Sequence, residues 1–227
     1  DAEKFTVQLK ASAEKGLMYL MLAESYSNYL NKHSYRLRER SGLLMVGANP
    51  ESIEEWSKAD LLLKMNQLIE CALKDTILLQ QRRISSTDVF IVTDTLQFQQ
   101  ATTLYDLMLI KTSEIVHIDE ESNPEYWLRR HLNYRRTQPE IFPLVMAELQ
   151  LFRMTFQAIS FEKERLAALD SLIAIYQSYP EVVELMAEKA SLLFSQSDKK
   201  QAHALCTERL SRSPDYARIQ LLDNIRK

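Results

Sequence analysis

Two consecutive 34-residue segments, 149–182 and 183–216, decide the fold because they carry the same pattern: LQLFRMTFQAISFEKERLAALDSLIAIYQSYPEV and VELMAEKASLLFSQSDKKQAHALCTERLSRSPDY. The shift superimposes Phe152 on Met186, Phe156 on Ala190, Ile159 on Leu193, Ala168 on Ala202, Leu172 on Cys206 and Pro180 on Pro214. This period is typical of tetratricopeptide repeats, in which two antiparallel helices pack through large apolar and small residues. A proline ends the second helix because it has no N–H to continue the hydrogen-bond ladder.

The match to the repeat is degenerate. Thr155 and Lys189 stand at the usual Leu position, Phe156 and Ala190 at the usual Gly position, and Arg209 at a usually small apolar position. We therefore predict two degenerate repeats and a capping helix, and we do not expect a faithful peptide-binding groove.

The composition predicts an all-α chain. Only three Gly and six Pro occur among 227 residues, and the commonest residues are good helix formers. We predict stacked antiparallel helical hairpins in a tetratricopeptide-like α-α superhelix. Residues 1–148 would form a hairpin region and residues 149–227 the repeats, with one continuous superhelix as the alternative.

Four helix patterns are predicted before the repeats. A stripe of Leu17, Leu20, Ala23 or Glu24, Ser27 and Leu30 predicts a long amphipathic helix. Asn49-Pro50-Glu51, or a capping box from Ser52 to Glu55, predicts the start of a single helix that runs to Gln81. Thr103 with Asp106, and Asn123-Pro124-Glu125, predict two further starts. Residues 84–94, ISSTDVFIVTD, are interpreted as a short helix or an extended connector, because a lone strand has no partner.

Charge and cysteine content restrict the function only weakly. The net charge of −3 and the pI near 5.9 give no global field that attracts nucleic acid or anionic lipid, and we expect neither nucleic-acid binding nor a membrane span. Cys71 and Cys206 are predicted to be buried thiols rather than a disulfide. The start, DAEKFTVQLK, has neither an initiator Met nor a signal-peptide core, so we expect that any targeting segment has been removed.

A cluster of arginines and aromatic residues between positions 126 and 136 is the candidate partner-binding site. Its members are Tyr126, Trp127, Arg129, Arg130, Tyr134, Arg135 and Arg136, with His131 among them. Such residues can bind a partner protein or single-stranded nucleic acid by stacking and charge. The alternative is a structural helix in which Trp127 and Tyr134 dock inward while the arginines pair with nearby glutamates.

No catalytic or cofactor motif is present in the sequence. The four histidines and two cysteines share no metal-ligand spacing, and HExxH, CxxC, the phosphate loop and GxSxG are all absent. Glu162, Glu164 and Asp170 are interpreted as a solvated helix face. We therefore expect no catalysis, metal or cofactor.

Four separated segments carry a family resemblance through their order and spacing: MLAESYSNYL, the Trp56 helix ending in ALKDTILLQQRRIS, TTLYDLMLIKTSEI and KKQAHALCTERLSRSPDY. Together they resemble the N-terminal helical region of large bacterial alpha-2-macroglobulin-like proteins. The resemblance implies a cell-envelope or periplasmic protein whose helical leader positions later domains or docks a partner. Neither cysteine is followed by the CxEQ thioester pattern of trapping macroglobulins. The alternatives are a stand-alone cytoplasmic adaptor and, more remotely, a nucleic-acid-binding regulatory domain.

Overall fold

The computed structural model describes residues 2–37, 53–84, 100–116, 123–156, 162–195 and 198–212. Within these ranges 83% of the residues are helical and no strand forms, so the all-α prediction is confirmed. An isolated antiparallel bridge joins Arg83 and Thr103.

Ten α-helices and one short 3-10 helix, Ile53–Glu55, lie within the described residues. The α-helices are α1 (Ala2–Gln8), α2 (Ala13–Leu37), α3 (Lys58–Ala72), α4 (Thr76–Gln81), α5 (Leu104–Val116), α6 (Pro124–Arg135), α7 (Ile141–Thr155), α8 (Glu162–Tyr176), α9 (Val182–Ser195) and α10 (Lys199–Arg212). The chain divides by its contacts into two compact units, Asp1–His131 and Leu132–Lys227. The boundary predicted at residue 148 remains a prediction.

Helix α2 is the centre of the first unit and packs against α1, α3, α4 and α5. The predicted stripe of Leu20, Ala23, Ser27 and Leu30 is buried, while Leu17 is half-buried. Close approach between α2 and α3 is possible because position 16 is glycine. A Cβ atom there would lie 2.8 Å from the carbonyl oxygen of Ala72.

The single helix predicted to run to Gln81 is wrong. A 3-10 helix precedes α3, and the chain then breaks at residues 73–75 before α4 begins. The capping box that starts α3 is Ser57 with Asp60: the Ser57 hydroxyl accepts from the Asp60 N–H (3.2 Å), and the Asp60 carboxylate accepts from the Ser57 N–H (2.9 Å). This box fixes the start because it satisfies orphan N–H groups inside the protein. The other predicted starts, at Asn49 and Ser52, lie outside the described residues.

Helix α5 begins where the sequence predicts and is buried on most of its surface. The Thr103 hydroxyl accepts from the Asp106 N–H (3.3 Å), and the Asp106 carboxylate accepts from the Thr103 N–H (3.0 Å). Eleven of the thirteen helix residues are buried. Apart from Ile84, the connector predicted at residues 84–94 lies outside the described residues.

Among the described residues, helices α7 to α10 lie wholly within the second unit, and α9 contacts each of the other three. The repeat positions Phe152, Met186, Ala190 and Cys206 are buried in one core cluster, to which Leu172 adds a half-buried side chain. These repeat positions thus lie on helices of one core, and the two repeats themselves remain a prediction.

The spacing of these helices is longer than the 34-residue shift. Helices α7 and α9 begin at residues 141 and 182, and α8 and α10 at 162 and 199. Pro180 lies in the turn after α8, as predicted. The final helix expected after Pro214 lies outside the described residues.

The two cysteines differ in environment. Both are free thiols, but Cys206 is buried whereas Cys71 is exposed, so the prediction of two buried thiols is wrong for Cys71. Cys71 lies on α3, between the buried residues Ile69 and Ala72, but on the outward side of the helix. Helical periodicity in the sequence does not distinguish its position from those of its buried neighbours.

Candidate functional site

Helix α6 carries the predicted cluster and begins at the predicted signal. The Asn123 side-chain oxygen accepts a hydrogen bond from the Tyr126 N–H (3.0 Å), Pro124 occupies the first helical position, and Glu125 adds a carboxylate to the first turn. These features stabilise the positive end of a helix. The 3.6-residue period then distributes six of the seven predicted side chains around the helix, and Arg136 follows its last residue.

Tyr126, Arg129 and Arg136 are the exposed members of the cluster. The Tyr126 side chain is 55% exposed, and its ring meets that of Trp127 edge to face at 5.0 Å. The guanidinium of Arg129 donates to the Glu125 carboxylate (2.8 Å) one turn earlier. Ion pairs of this exposed kind contribute about 0.5 kcal/mol and can be exchanged for a partner's carboxylate.

Arg136 is exposed but bound to a half-buried carboxylate in the second unit. Its guanidinium donates to Glu148 (2.9 Å), which also accepts from the Tyr176 hydroxyl at 3.5 Å. Burial, followed by the negative charge of Glu148, raises the pKa of Tyr176 to about 12. Arg136 therefore helps to neutralise a carboxylate as well as facing solvent.

Trp127 and Arg130 form the half-buried flank of the cluster. The Arg130 guanidinium lies 5.5 Å from the Trp127 ring centroid and 5.7 Å from that of Tyr105, and its Nε donates to the Tyr105 hydroxyl (2.9 Å). Tyr105 belongs to α5 and is 4% exposed. Arg130 thus attaches α6 to α5 by stacking and a hydrogen bond.

Arg135 is fully buried, at 0% exposure. Its guanidinium donates to the Glu140 carboxylate (2.9 Å) and lies 6.0 Å from the centroid of the half-buried Tyr134 ring. A partner protein cannot reach this charge without a rearrangement. Arg135, a member of the predicted cluster, is therefore not part of an exposed surface.

A buried Asp–His pair was missed by sequence reasoning. His131 Nε2 lies 3.2 Å from Asp106 Oδ1, and the two side chains are 1% and 0% exposed. Asp106 Oδ2 accepts from the N–H and hydroxyl groups of Thr102 and Thr103 at 3.0 to 3.2 Å. The Thr103–Asp106 capping signal was visible in the sequence, but no local pattern links it to a histidine 25 residues away.

The Asp–His pair is closed to solvent, so a substrate cannot reach it in this conformation. Its contacts hold the N-terminal end of α5 against α6 within the first unit. A buried polar group without a partner is costly, and here the histidine and the capping threonines satisfy the carboxylate.

The remaining candidate residues are the acidic side chains of α8. Glu164 and Asp170 are exposed on α8, where Asp170 pairs with Lys189 of α9. Within the ranges that the structure describes, no group of three or more His, Cys, Asp or Glu side chains could hold a metal ion. None of the described helices is both long enough and apolar enough to cross a lipid bilayer.

Comparison with protein-family models, with curated proteins and with solved structures finds no match. The resemblance to the macroglobulin leader therefore remains a prediction.

Proposed function

We propose that this chain is a non-catalytic helical scaffold that binds a protein partner. In this proposal the second unit stacks its hairpins as a tetratricopeptide-like superhelix, an architecture that leaves an extended surface for a partner. Two features support it: the all-helical chain, and the burial of the repeat positions Phe152, Met186 and Ala190 in one core.

The observation that carries the proposal is the pair of outward side chains Tyr126 and Arg129. They lie three residues apart on α6, whose other side is buried through Leu128 and His131. Tyr and Arg are enriched at the energetic centres of protein interfaces, and Tyr loses little conformational freedom on binding. A helix fixed by its buried side therefore presents both groups in a defined geometry.

A double variant tests the role of this pair. We expect Tyr126→Ala with Arg129→Ser to reduce partner capture at least about tenfold, because truncating central interface residues costs about 2 kcal/mol. The measurement is cross-linked capture from source cells, with the melting temperature recorded for each variant.

The matched control is Arg82→Ser, which removes an exposed arginine that pairs with Glu14 in the first unit. Capture should be unchanged in this variant. Equal loss in both variants, or full capture by the double variant, contradicts the proposed surface.

We further propose that the chain is the helical leader of a larger cell-envelope protein of macroglobulin type. The resemblance of the separated helical segments supports this proposal, and a stand-alone cytoplasmic adaptor is the alternative. An antibody blot of fractionated source cells separates them. A band far above 26.5 kDa in the envelope fraction agrees with the leader, whereas a band near 26.5 kDa in the cytosol contradicts it.

Nucleic acid is not the proposed partner, because the chain has a net charge of −3 and because Arg135 and Arg136 of the cluster pair with Glu140 and Glu148. Retention on a single-stranded DNA column that falls steeply with salt would overturn this part of the proposal.

A further inference from the structure

Helix α1 carries its apolar side chains on the outside. Phe5 and Val7 are 58% and 60% exposed, whereas Thr6 between them is 0% exposed and its hydroxyl donates to the Ala2 carbonyl (2.8 Å). Burial of apolar surface, the usual way in which a short helix is held to a protein, therefore contributes little here.

Lys15 of α2 binds the C-terminal end of α1. Its ammonium group donates to the carbonyl oxygens of Val7 (3.0 Å) and Leu9 (2.7 Å), which lie at or just past the last turn of α1. A cation in this position satisfies unpaired carbonyls and favours the negative end of the helix dipole. The same ammonium group lies 5.9 Å from the Tyr19 ring centroid.

Glu3 binds the N-terminal end of α1 to α3 through an ion pair with Lys64. Its negative charge, after burial, raises the pKa of Tyr26. Lys15 of α2 thus binds the C-terminal end of α1, and Lys64 of α3 binds the N-terminal end.

We infer that α1 is a strap, Ala2–Gln8, that is closed by charged contacts over α2 and opens while the rest of the first unit stays folded. Local opening is cheapest where few apolar contacts are lost and the holding interactions are polar. Salt screens such contacts, so the open fraction should rise with ionic strength. Opening would release the Lys15 and Lys64 ammonium groups from their contacts with α1.

Thiol labelling tests the inference on the full chain. Cys71 is first replaced by serine because it is exposed and would label at once. Thr6→Cys then reports opening of the strap, and Ser27→Cys, at a position 2% exposed on α2, reports unfolding of the first unit. Mapping by mass spectrometry separates both sites from the buried Cys206.

We expect the cysteine at position 6 to label at least about tenfold faster than the one at position 27, and about threefold faster at 0.5 M than at 0.05 M NaCl. Lys15→Met should accelerate labelling at position 6 about tenfold, since it removes two charged hydrogen bonds, and Glu3→Gln about threefold. Lys10→Met is the control, because Lys10 is exposed on the same segment. Labelling at position 27 should stay unchanged in every variant.

Two outcomes would overturn the strap. Equal rates at positions 6 and 27 would mean that α1 opens only when the first unit unfolds. A rate at position 6 equal to that of a fully exposed thiol, and independent of Lys15, would mean that α1 is not docked. Amide exchange of α1 compared with α5 in the unsubstituted chain gives the same distinction if the Thr6→Cys variant fails to fold.

Discussion

Arg135 illustrates how a charge is tolerated inside the second unit. Its guanidinium is fully buried, and the Glu140 carboxylate, which retains 30% exposure, accepts a hydrogen bond from it. Arg136, the next residue, is 56% exposed and pairs with Glu148. Neighbouring arginines thus have different energetic roles, because removing one partner of a buried pair costs much more than removing an exposed one.

Replacing these two arginines separately should give unequal losses of stability. We expect Arg135→Ser to lower the free energy of unfolding by about 2 to 3 kcal/mol, because it leaves the Glu140 carboxylate without this donor and opens a cavity. Arg136→Ser should cost less than about 1 kcal/mol. Urea unfolding of both variants measures the difference, and equal losses would contradict the assigned burial.

Tyr176 makes stability depend on pH in the alkaline range. Its pKa in the folded chain is about 12, above the ordinary value of 10.0, so the folded state holds the phenolic proton more tightly than the unfolded state. The resulting stabilisation is fully present below pH 10 and is lost as the pH rises from about 10 to 12. We expect Tyr176→Phe to show a shallower fall in stability over this range. The prediction is contradicted if stability falls as steeply with pH in Tyr176→Phe as in the unsubstituted chain. It is also contradicted if a tyrosinate absorbance titration shows as many late-titrating tyrosines in the variant as in the unsubstituted chain.

At the scale of the helices, start signals were more predictable than breaks. Asn123-Pro124-Glu125 and Thr103 with Asp106 start α6 and α5 as expected, because a cap is a local arrangement of side chain and backbone. The break at residues 73–75 separates two segments that keep one apolar period, so periodicity alone gives no indication of it. Ala72 and Leu79, on the two sides of this break, are both buried, so both segments keep their apolar positions in the core.

The contact between α2 and α3 predicts the effect of a methyl group at position 16. A glycine-to-alanine change inside a helix usually stabilises by about 0.5 to 1 kcal/mol. We expect Gly16→Ala to destabilise by about 1 to 3 kcal/mol instead, because the new Cβ atom would lie 2.8 Å from the backbone oxygen of Ala72.

Asn28→Ala is the control for this change, since Asn28 is exposed on the same helix and gains only helix propensity. Thermal unfolding of both variants gives the sign. A stabilised Gly16→Ala protein would show that the two helices can separate without cost.

For the whole molecule, composition predicted the fold class, while side-chain orientation required the structure. Few glycines and many helix formers were enough for the all-α class. They could not show that Arg135 turns inward while Arg129 turns outward, because both belong to one polar, aromatic segment with no clear apolar stripe. The pairing of Asp106 with His131 was equally hidden, since it depends on how two helices meet.

Asp106 has a consequence for how the sequence can change. One carboxylate oxygen serves the start of α5 through Thr102 and Thr103, and the other faces His131 on α6. An asparagine has the same shape but a single acceptor oxygen, so with that oxygen on the threonines its amide would have to donate to His131 Nε2, which requires the other histidine tautomer. A change at position 106 on α5 therefore dictates which ring nitrogen of His131 on α6 carries the proton, so the two helices are coupled through one side chain.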